Sequence, residues 1–284
     1  MSRLRLGIVQ TNSGIDPAAN ADMLAAAIAT LASDGAQLVL TPEMSGLLDR
    51  DRTRIMTNVR GEAEDVVLAA VRVAARQHGV WVELGSLAIR VDGAKEEPRL
   101  ANRSFLIDAA GEVRARYDKI HLFDVDLPTG ERHRESATYR PGAEAVVVDT
   151  PWARLGLAIC YDLRFAGLFA ALANAGAQLL TVPAAFTRPT GAAHWHALLR
   201  ARAIETGSFV VAAAQTGEHA DGRATYGHSL VIDPWGEVLL DMGEAAGTAI
   251  CDIDLGAVAD TRARIPALAH ARPFTLAPVD ETGA

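Results

Sequence analysis

Short apolar runs alternate with longer Ala-rich stretches in the first half of the chain, a pattern typical of β-strands and α-helices in alternation. The runs favour strands because their apolar residues recur at every second position or form short continuous stretches. The pattern predicts strands over 4–10, 37–41, 80–87, 102–108 and 112–117, and helices over 17–33 and 62–78.

The second half predicts a similar order of elements. Its strands are expected over 154–160, 178–182, 208–214, 227–233, 237–241 and 247–253, and its helices over 164–175, 192–206 and 255–264. Gly111 and Gly236 end two predicted hairpin turns, where glycine supplies a positive φ. The polar segments 43–61, 118–142 and 215–226 are expected to be irregular and to carry binding residues. The last eight residues are expected to be a frayed tail.

Three short matches recur in the same order in the two halves, which indicates an internal duplication. RLGI at 5–8 returns as RLGL at 154–157, and GAQL at 35–38 returns as GAQL at 176–179. SFLID at 104–108 returns as SLVID at 229–233. Because each half mixes β-α units with a hairpin, we predict an α/β fold of two mixed sheets, pseudo-duplicated, and not a closed parallel barrel.

Composition narrows the class of protein. The 284 residues carry a net charge of −8, so nothing in the charge balance would attract nucleic acid or an anionic membrane. No apolar run reaches the roughly 18 residues of a membrane span, and the N-terminus lacks the apolar segment of a signal peptide. Two cysteines imply no disulfide framework. We therefore expect a cytoplasmic protein without nucleic-acid or membrane partners.

Cys160 is the first candidate for chemistry. It ends an apolar run and is followed at once by polar residues, so it is expected at a strand-to-helix junction, where α/β sheets bind ligands. The helix start offers unpaired N–H groups that favour a thiolate or a developing oxyanion. A free cysteine is more often a small buried apolar residue. That alternative suits Cys251, which lies inside an alternating strand, better than it suits Cys160.

A nucleophilic cysteine needs a neighbouring activating group, because little of a free thiol is ionised at neutral pH. Among the histidines, His121 has neighbours that could place it inward, and His228 is equally explained as a structural hydrogen-bonding residue. His194 and His196 point apart on a predicted helix and form a poor metal pair. The sequence contains no P-loop, no Gly-x-Ser-x-Gly elbow and no clustered metal-ligand spacing.

Glu43 and Lys119 are the other candidates. Glu43 directly follows an apolar strand and Pro42, whereas the equivalent position of the second half is Ala184. A single active site in a duplicated fold needs its acid in one half only, and Glu43 fits this pattern. The alternative is that Glu43 is a solvated carboxylate on a loop, which is common. Lys119 ends a predicted hairpin strand, and taken alone it is better explained as a surface lysine.

Three segments together resemble the catalytic motifs of the nitrilase superfamily of carbon–nitrogen hydrolases. They are Pro42-Glu43, YDKIHLFDV at 117–125 and GLAICYDLR at 156–164. The segments 190–205 and 226–236 resemble the Nit-type amidases, a branch that includes deaminated glutathione amidase and ω-amidase, and 212–217 favours the former. The resemblance implies a four-layer α-β-β-α sandwich, a carbon–nitrogen hydrolase domain over 1–273 and a tail over 274–284.

The resemblance also implies roles for individual residues. It assigns Cys160 as the nucleophile, Glu43 as the general base and acid, and Lys119 as the partner of the oxyanion. Glu135 falls where the family has a second glutamate that positions the substrate and the lysine. Ala166, Gly167 and His133 depart from the family pattern near the expected pocket wall, which bears on specificity.

The expected activity is amide hydrolysis with ammonia release from a small carboxylated amide, through a cysteine thioester. The best substrate prediction is deaminated glutathione, followed by α-ketoglutaramate or another ω-amide; a nitrilase or a non-catalytic subunit are the rivals. The N–H of Tyr161 is expected to help to hold the oxyanion. Arg164, Arg188 and Arg202 are candidate carboxylate binders, although a structural ion pair explains Arg202 equally well. No step needs a metal or cofactor, and the resemblance implies at least a homodimer.

Overall fold

Each predicted strand and helix has a counterpart in the structure, often with shifted ends, and the predicted polar segments contain additional short elements. The computed structural model describes residues 3–91, 100–127 and 130–276, so the predicted tail at 277–284 lies outside the described residues. The strands are β1 Arg3–Gln10, β2 Leu38–Leu40, β3 Trp81–Arg90, β4 Leu100–Ile107, β5 Val113–Asp118, β6 Asp124–Asp126, β7 Arg132–Arg134, β8 Val146–Asp149, β9 Arg154–Leu157, β10 Leu179–Thr181, β11 Phe209–Ala212, β12 Thr216–Glu218, β13 Ala224–Tyr226, β14 Leu230–Ile232, β15 Val238–Asp241 and β16 Gly247–Asp254. The α-helices are α1 Pro17–Ser33, α2 Arg52–Asn58, α3 Val66–His78, α4 Ala166–Asn174, α5 Arg188–Thr206, α6 Gly256–Arg264 and α7 Ala267–His270.

Two six-stranded mixed sheets form the centre of the fold. Their strand orders are β16-β1-β2-β3-β4-β5 and β15-β14-β11-β10-β9-β8. Strands β1, β2 and β3 are parallel, as are β9, β10 and β11, and an antiparallel hairpin extends each set. The strands that share the repeated sequences therefore occupy equivalent positions in the two sheets.

The two sheets pack face to face, with helices on their outer faces. Leu6 and Ile8 of β1 share one buried core with Leu157 of β9, whereas Val9 belongs to a core that includes Leu24 of α1. This division follows from the alternation of side chains along a strand. Helices α1 and α3 pack together beside the first sheet, and α4 and α5 pack together beside the second. The layers are α-β-β-α, as the resemblance implies.

The internal duplication extends to individual hydrogen bonds. Arg5 of β1 donates through Nε to Asp252 at 2.8 Å and through Nη1 to a carbonyl at the end of α1. Arg154 of β9 donates through Nε to Asp149 at 2.7 Å and through Nη1 to a carbonyl at the end of α4. The predicted pseudo-duplication is thus visible in the packing of equivalent arginines.

Three local differences from the sequence prediction have physical explanations. Strand β16, predicted with the second half, pairs antiparallel with β1 of the first sheet, where it is the counterpart of β8 beside β9. The predicted helix over 62–78 is interrupted because Asp65 caps α3, accepting a hydrogen bond from the Leu68 N–H at 2.8 Å. Segments predicted to be irregular contain α2 and the small hairpins β6–β7 and β12–β13.

Within the described ranges, no helix is both long and apolar enough to cross a membrane.

A buried carboxyl group between the sheets makes stability dependent on pH. Glu83 of β3 is fully buried, and its Oε1 accepts hydrogen bonds from Ser104 at 3.1 Å and Thr181 at 3.2 Å. Burial raises the pKa of Glu83 to about 8, against those two hydrogen bonds. The folded protein therefore holds a proton here that the unfolded chain releases above its ordinary pKa of 4.5.

We expect Glu83→Gln to gain stability relative to the wild type as the pH rises. The stability contributed by protonated Glu83 is complete below about pH 4.5 and is lost up to about pH 8, at no more than about 1.4 kcal/mol per pH unit. Glutamine does not titrate, so the difference in unfolding free energy between the two proteins should grow over this range and then level off. Urea unfolding at several pH values measures it. A difference that is independent of pH would refute the assignment.

Candidate active site

Cys160 is the third residue after the end of β9 and lies in a strained turn. The strand prediction of 154–160 was too long by three residues, because the chain enters a 3-10 turn at Cys160–Arg164. The φ of Cys160 is 49°, a left-handed value that is uncommon for a residue with a Cβ atom. Its N–H donates to the Pro183 carbonyl at 2.9 Å, which fixes the turn against the second sheet. Backbone strain of this kind is found mainly at functional sites.

Asp162 holds this turn in place. Its Oδ2 accepts hydrogen bonds from the Ile159 N–H at 2.9 Å and from the Tyr117 hydroxyl at 2.6 Å. Its Oδ1 accepts the His121 N–H at 3.0 Å and lies 2.7 Å from the His121 ring. His121 therefore belongs to the support of the turn, and its ring is stacked on Phe165 at a centroid distance of 3.5 Å.

Glu43 follows β2 and is buried, with three hydrogen bonds to its carboxylate. Oε1 accepts from the Lys119 ammonium at 2.9 Å and from the Asn102 amide at 2.9 Å. Oε2 accepts from the Ala185 N–H at 2.9 Å. Ala185 follows Ala184, the counterpart of Glu43 in the second half, so the second half contributes a backbone donor to the site and no acid. Glu43 is 4% exposed, which rules out the solvated loop carboxylate considered above.

A glycine allows the two halves to approach each other at this point. A Cβ at Gly85 would lie 2.0 Å from the Thr41 carbonyl oxygen and 2.5 Å from Pro183. Any larger residue would push apart the segments that carry Glu43 and Ala185, because the first of these distances is to backbone. Glycine at this position therefore contributes to the position of Glu43 beside the second sheet.

Lys119 is buried between two carboxylates. Its Nζ donates to Glu43 at 2.9 Å and to both oxygens of Glu135, at 3.1 and 2.9 Å. The side chain is 2% exposed, so the surface-lysine alternative is wrong for this residue. An ammonium buried to this extent is stable only when it is paired and hydrogen-bonded.

Glu135 and Asn102 complete the polar network. The Oε2 atom of Glu135 accepts the Phe123 N–H at 2.7 Å, and its Oε1 atom accepts the Asn102 amide at 3.1 Å. Asn102 therefore bridges Glu43 and Glu135, and sequence reasoning missed it. The available signal was a polar residue at an inward position of strand β4, on the same face as Ser104 and Leu106.

The charges of the network shift one another's pKa values. Burial raises the pKa of the Cys160 thiol, and the nearby Glu43 carboxylate raises it further. The Lys119 ammonium lowers the pKa of the thiol, but the net result is a pKa well above the ordinary value. Burial by itself would raise the pKa of Glu43. The charge of Lys119 and the hydrogen bonds from Cys160, Lys119 and Asn102 outweigh burial, so the pKa of Glu43 is lowered. Burial acts against the Lys119 charge too, yet Glu135 and Glu43 raise its pKa well above 10.5. The resting site thus pairs a neutral thiol with a carboxylate and an ammonium.

A cavity of about 410 Å³ opens onto Glu43, Lys119, Glu135 and Cys160. Tyr161 lines it, next to Phe123 at a ring-centroid distance of 5.1 Å. The rest of the wall includes aromatic rings and several cationic side chains. They are Phe123, Tyr139, Phe186, His133, Arg50, Arg132, Arg134 and Arg223.

Two of the predicted arginines do not line the cavity, although the Arg164 guanidinium lies behind two rings of its wall, Tyr161 and Phe186. Neither Arg164 nor Arg188 is among the cavity-lining residues. The Arg164 guanidinium lies 5.8 Å from the Tyr161 ring centroid and contacts His194, and Arg188 approaches Glu218 at 3.8 Å.

Arg202 is structural in its contacts. It is 5% exposed, donates twice to the Leu163 carbonyl and pairs with Glu205 at 2.9 Å. The structural alternative is therefore correct for Arg202, since its guanidinium is engaged by the protein's own groups; the arginine is buried, whereas the side chain of its partner Glu205 is 51% exposed.

Comparisons with known proteins agree with the motifs. The family model for carbon-nitrogen hydrolases matches residues 5–263. The deaminated glutathione amidase of Yersinia enterocolitica is 41% identical over 274 residues, which cover 96% of this chain and 94% of that protein. The C. elegans NitFhit protein superimposes with a TM-score of 0.87 at 37% identity, covering 96% of this chain; the chain spans 66% of that protein.

A third similar protein carries a modified cysteine. A mutant amidase from Nesterenkonia sp. AN1, whose structure shows acrylamide added to the active-site cysteine, superimposes with a TM-score of 0.75 at 30% identity. The match covers 93% of this chain and 98% of that amidase.

Proposed function

The chain belongs to the carbon-nitrogen hydrolase family, and from this premise we propose that it cleaves a small carboxylated amide through a thioester on Cys160. The observation that carries the proposal is that a buried carboxylate, ammonium and thiol face one cavity. Hydrogen bonds of 2.9 Å join Lys119 and Asn102 to the Glu43 carboxylate. These are the groups that amide hydrolysis needs: a nucleophile, a proton carrier and a cation near the developing oxyanion.

The first half-reaction forms the thioester. Glu43 takes the thiol proton as the Cys160 Sγ atom attacks the carbonyl carbon, and the carbonyl oxygen becomes an oxyanion. Glu43 then gives this proton to the amide nitrogen, the C–N bond breaks and the amine leaves. The lowered pKa of Glu43 keeps it ionised and ready to accept the proton, and the raised pKa of the thiol keeps the proton in place until substrate binds.

The second half-reaction regenerates the enzyme. Glu43 removes a proton from water, whose oxygen attacks the thioester carbon. The C–S bond then breaks, the acid is released and the thiol regains its proton from Glu43. One carboxylate serves both steps because it alternates between base and acid.

The oxyanion is held by Lys119 and by the backbone N–H of Tyr161. Lys119 carries its full charge under all ordinary conditions, since Glu135 and Glu43 raise its pKa. Glu135 acts as a positioning residue, because it binds the Lys119 ammonium alongside Glu43 and is itself fixed by the Phe123 N–H. Removal of one oxyanion donor typically costs about 10²- to 10³-fold in rate.

The best candidate substrate is deaminated glutathione. The 41% identity to a protein named deaminated glutathione amidase, over 94% of its length, supports this choice. In glutathione the γ-amide joins the glutamyl part to cysteinylglycine, so the leaving group from this substrate would be the dipeptide amine. The ammonia release expected from the sequence therefore does not fit this substrate; it would instead indicate a primary ω-amide such as α-ketoglutaramate. An assay of both products over a panel of amides and nitriles therefore tests the proposal and separates the alternatives.

Among the cationic residues of the cavity wall, Arg223 is our preferred partner for a substrate carboxylate. It is fixed through Nε by Asp221 at 2.7 Å, and its side chain is 26% exposed. A guanidinium held on one edge can present its remaining N–H donors to a carboxylate. The predicted binders Arg164 and Arg188 stay as alternatives, and they are available for a direct comparison.

We expect Arg223→Gln to raise KM for carboxylated amides by about tenfold or more with a smaller effect on kcat, because the lost contact is made in the ground state as well. An amide without a carboxylate should show no such difference between wild type and variant. Arg188→Gln is the matched control and should change KM little. If Arg188→Gln raised KM while Arg223→Gln did not, the assignment would have to be exchanged.

Cytoplasmic location, assembly into a homodimer or larger homo-oligomer, and the domain limits at residue 273 stay predictions.

A further inference from the structure

A second group of potential metal ligands lies outside the cavity, between helix α5 and the hairpin β14–β15. His196 of α5, His228 just before β14 and Asp241 of β15 bring two imidazole nitrogens and a carboxylate oxygen within 4.8 Å of one another. None of the three lines the cavity around Cys160, and no step of the proposed reaction uses them. From this geometry we propose that His196, His228 and Asp241 bind a Zn²⁺ ion that stabilises the fold.

The distances suit three ligands of one small cation. The Asp241 Oδ2 atom lies 3.1 Å from the His196 Nε2 atom and 3.1 Å from the His228 Nδ1 atom. Two zinc bonds of about 2.0–2.1 Å at a tetrahedral angle separate their ligand atoms by about 3.3–3.4 Å. Shifts of a few tenths of an ångström would therefore suffice for the two histidine–aspartate pairs, and the two imidazole nitrogens lie within 4.8 Å of each other.

The backbone and neighbouring side chains fix the orientation of His228. Its φ is 54°, its N–H donates to the Gly243 carbonyl at 2.7 Å, and its carbonyl accepts the Trp195 indole N–H at 2.8 Å. The Tyr226 ring is stacked on its imidazole at a centroid distance of 4.5 Å. A ligand held in this way loses little conformational freedom when it binds a metal.

The donor set selects the kind of cation. Two imidazoles and one carboxylate suit zinc, whereas magnesium and calcium prefer sites made entirely of oxygen. The side chains of His196 and Asp241 are each 35% exposed and that of His228 is 20% exposed. Solvent can therefore reach the group, and water can supply a fourth ligand.

A hydrogen-bonded group without an ion is the competing explanation. Each imidazole could donate an N–H to Asp241 from the nitrogen that faces it, which would satisfy the carboxylate. The two explanations differ in their response to zinc, because only ligands with free lone pairs bind it and the bound ion replaces those protons.

The expected consequence is structural. The ion would connect α5, β15 and the segment before β14, and that segment continues from Thr225 in the cavity wall. A ligand that binds the folded state alone raises the melting temperature. Turnover at Cys160 should not depend on it.

The test is a zinc titration of protein that has been stripped with EDTA and dialysed. By calorimetry the wild type should bind one Zn²⁺ per chain, and a hundredfold excess over Kd should raise Tm by about 5 °C. His196→Ala should lose both effects. His194→Ala, two positions earlier on the same helix, should keep them, and magnesium should reproduce neither.

Turnover by the stripped wild type should equal that of the zinc-loaded protein, which distinguishes this site from the catalytic one. Absence of zinc binding by the wild type, or equal binding by the wild type and His196→Ala, would overturn the proposal and leave the hydrogen-bonded group as the explanation.

Discussion

Cys160→Ala is expected to abolish amide hydrolysis, with a fall in kcat of at least about 10⁴-fold, while the protein stays folded. The reason for the kinetic effect is that no other nucleophile in the described cavity stands beside both Glu43 and Lys119. The reason for the intact fold is that alanine keeps the Cβ and the backbone bond to the Pro183 carbonyl at 2.9 Å. Steady-state kinetics and circular dichroism measure the two outcomes.

Cys251→Ala provides the matched control for this experiment. Cys251 is also buried, but it lies in β16 at the edge of the first sheet, paired with Leu6 of β1. Its removal should leave most of the activity, with at worst a modest loss of stability. Retention of turnover by Cys160→Ala would remove the nucleophile assignment.

Lys119→Met is expected to lower kcat and kcat/KM together by at least about 10²-fold. The ammonium stabilises charge that develops in the transition state, so its loss should not appear as weaker substrate binding alone. Methionine has a similar length and no charge. Alkylation of Cys160 near neutral pH should also become slower, because Lys119 lowers the pKa of the thiol and its removal raises it.

This substitution should also destabilise the protein, since it leaves Glu43 and Glu135 buried without their cation, a loss typically of about 3–5 kcal/mol. The double variant Lys119→Met/Glu135→Gln separates the two effects. It removes one of the two unpaired carboxylates and should recover part of the stability without recovering turnover. Recovery of turnover in the double variant, or normal rates in the single one, would show that Lys119 is merely structural.

The architecture could be predicted from the sequence because strand and helix patterns are local. The repeated RLG segments around Gly7 and Gly156 indicated equivalent strands, and the structure pairs those strands with equivalent neighbours. The placement of β16 could not be predicted in this way. Its alternating pattern fits an edge strand of either sheet. In the structure it pairs with β1, which is distant in sequence, and therefore belongs to the first sheet.

The site was predictable to the extent that its residues follow strand ends. Glu43 and Cys160 could be selected on that basis, whereas Lys119 was indistinguishable from a surface lysine without the family resemblance. Asn102 and Arg223 were missed because their importance depends on which segments meet across the fold. His196, His228 and Asp241 are likewise far apart in the sequence and meet only in the fold, so their spacing along the chain did not indicate a metal site.

The most direct test of the central claim is the mass of the chain during turnover. Wild-type protein mixed with excess amide and quenched in acid within the first turnovers should carry the acyl group of the substrate as a thioester. Peptide mapping should place this mass on the fragment that contains Cys160, and it should be absent from Cys160→Ala. An acyl group on Cys251 or on another residue would contradict covalent catalysis by Cys160. Product formation without any acylated chain, under conditions where hydrolysis of the thioester is rate-limiting, would contradict it as well.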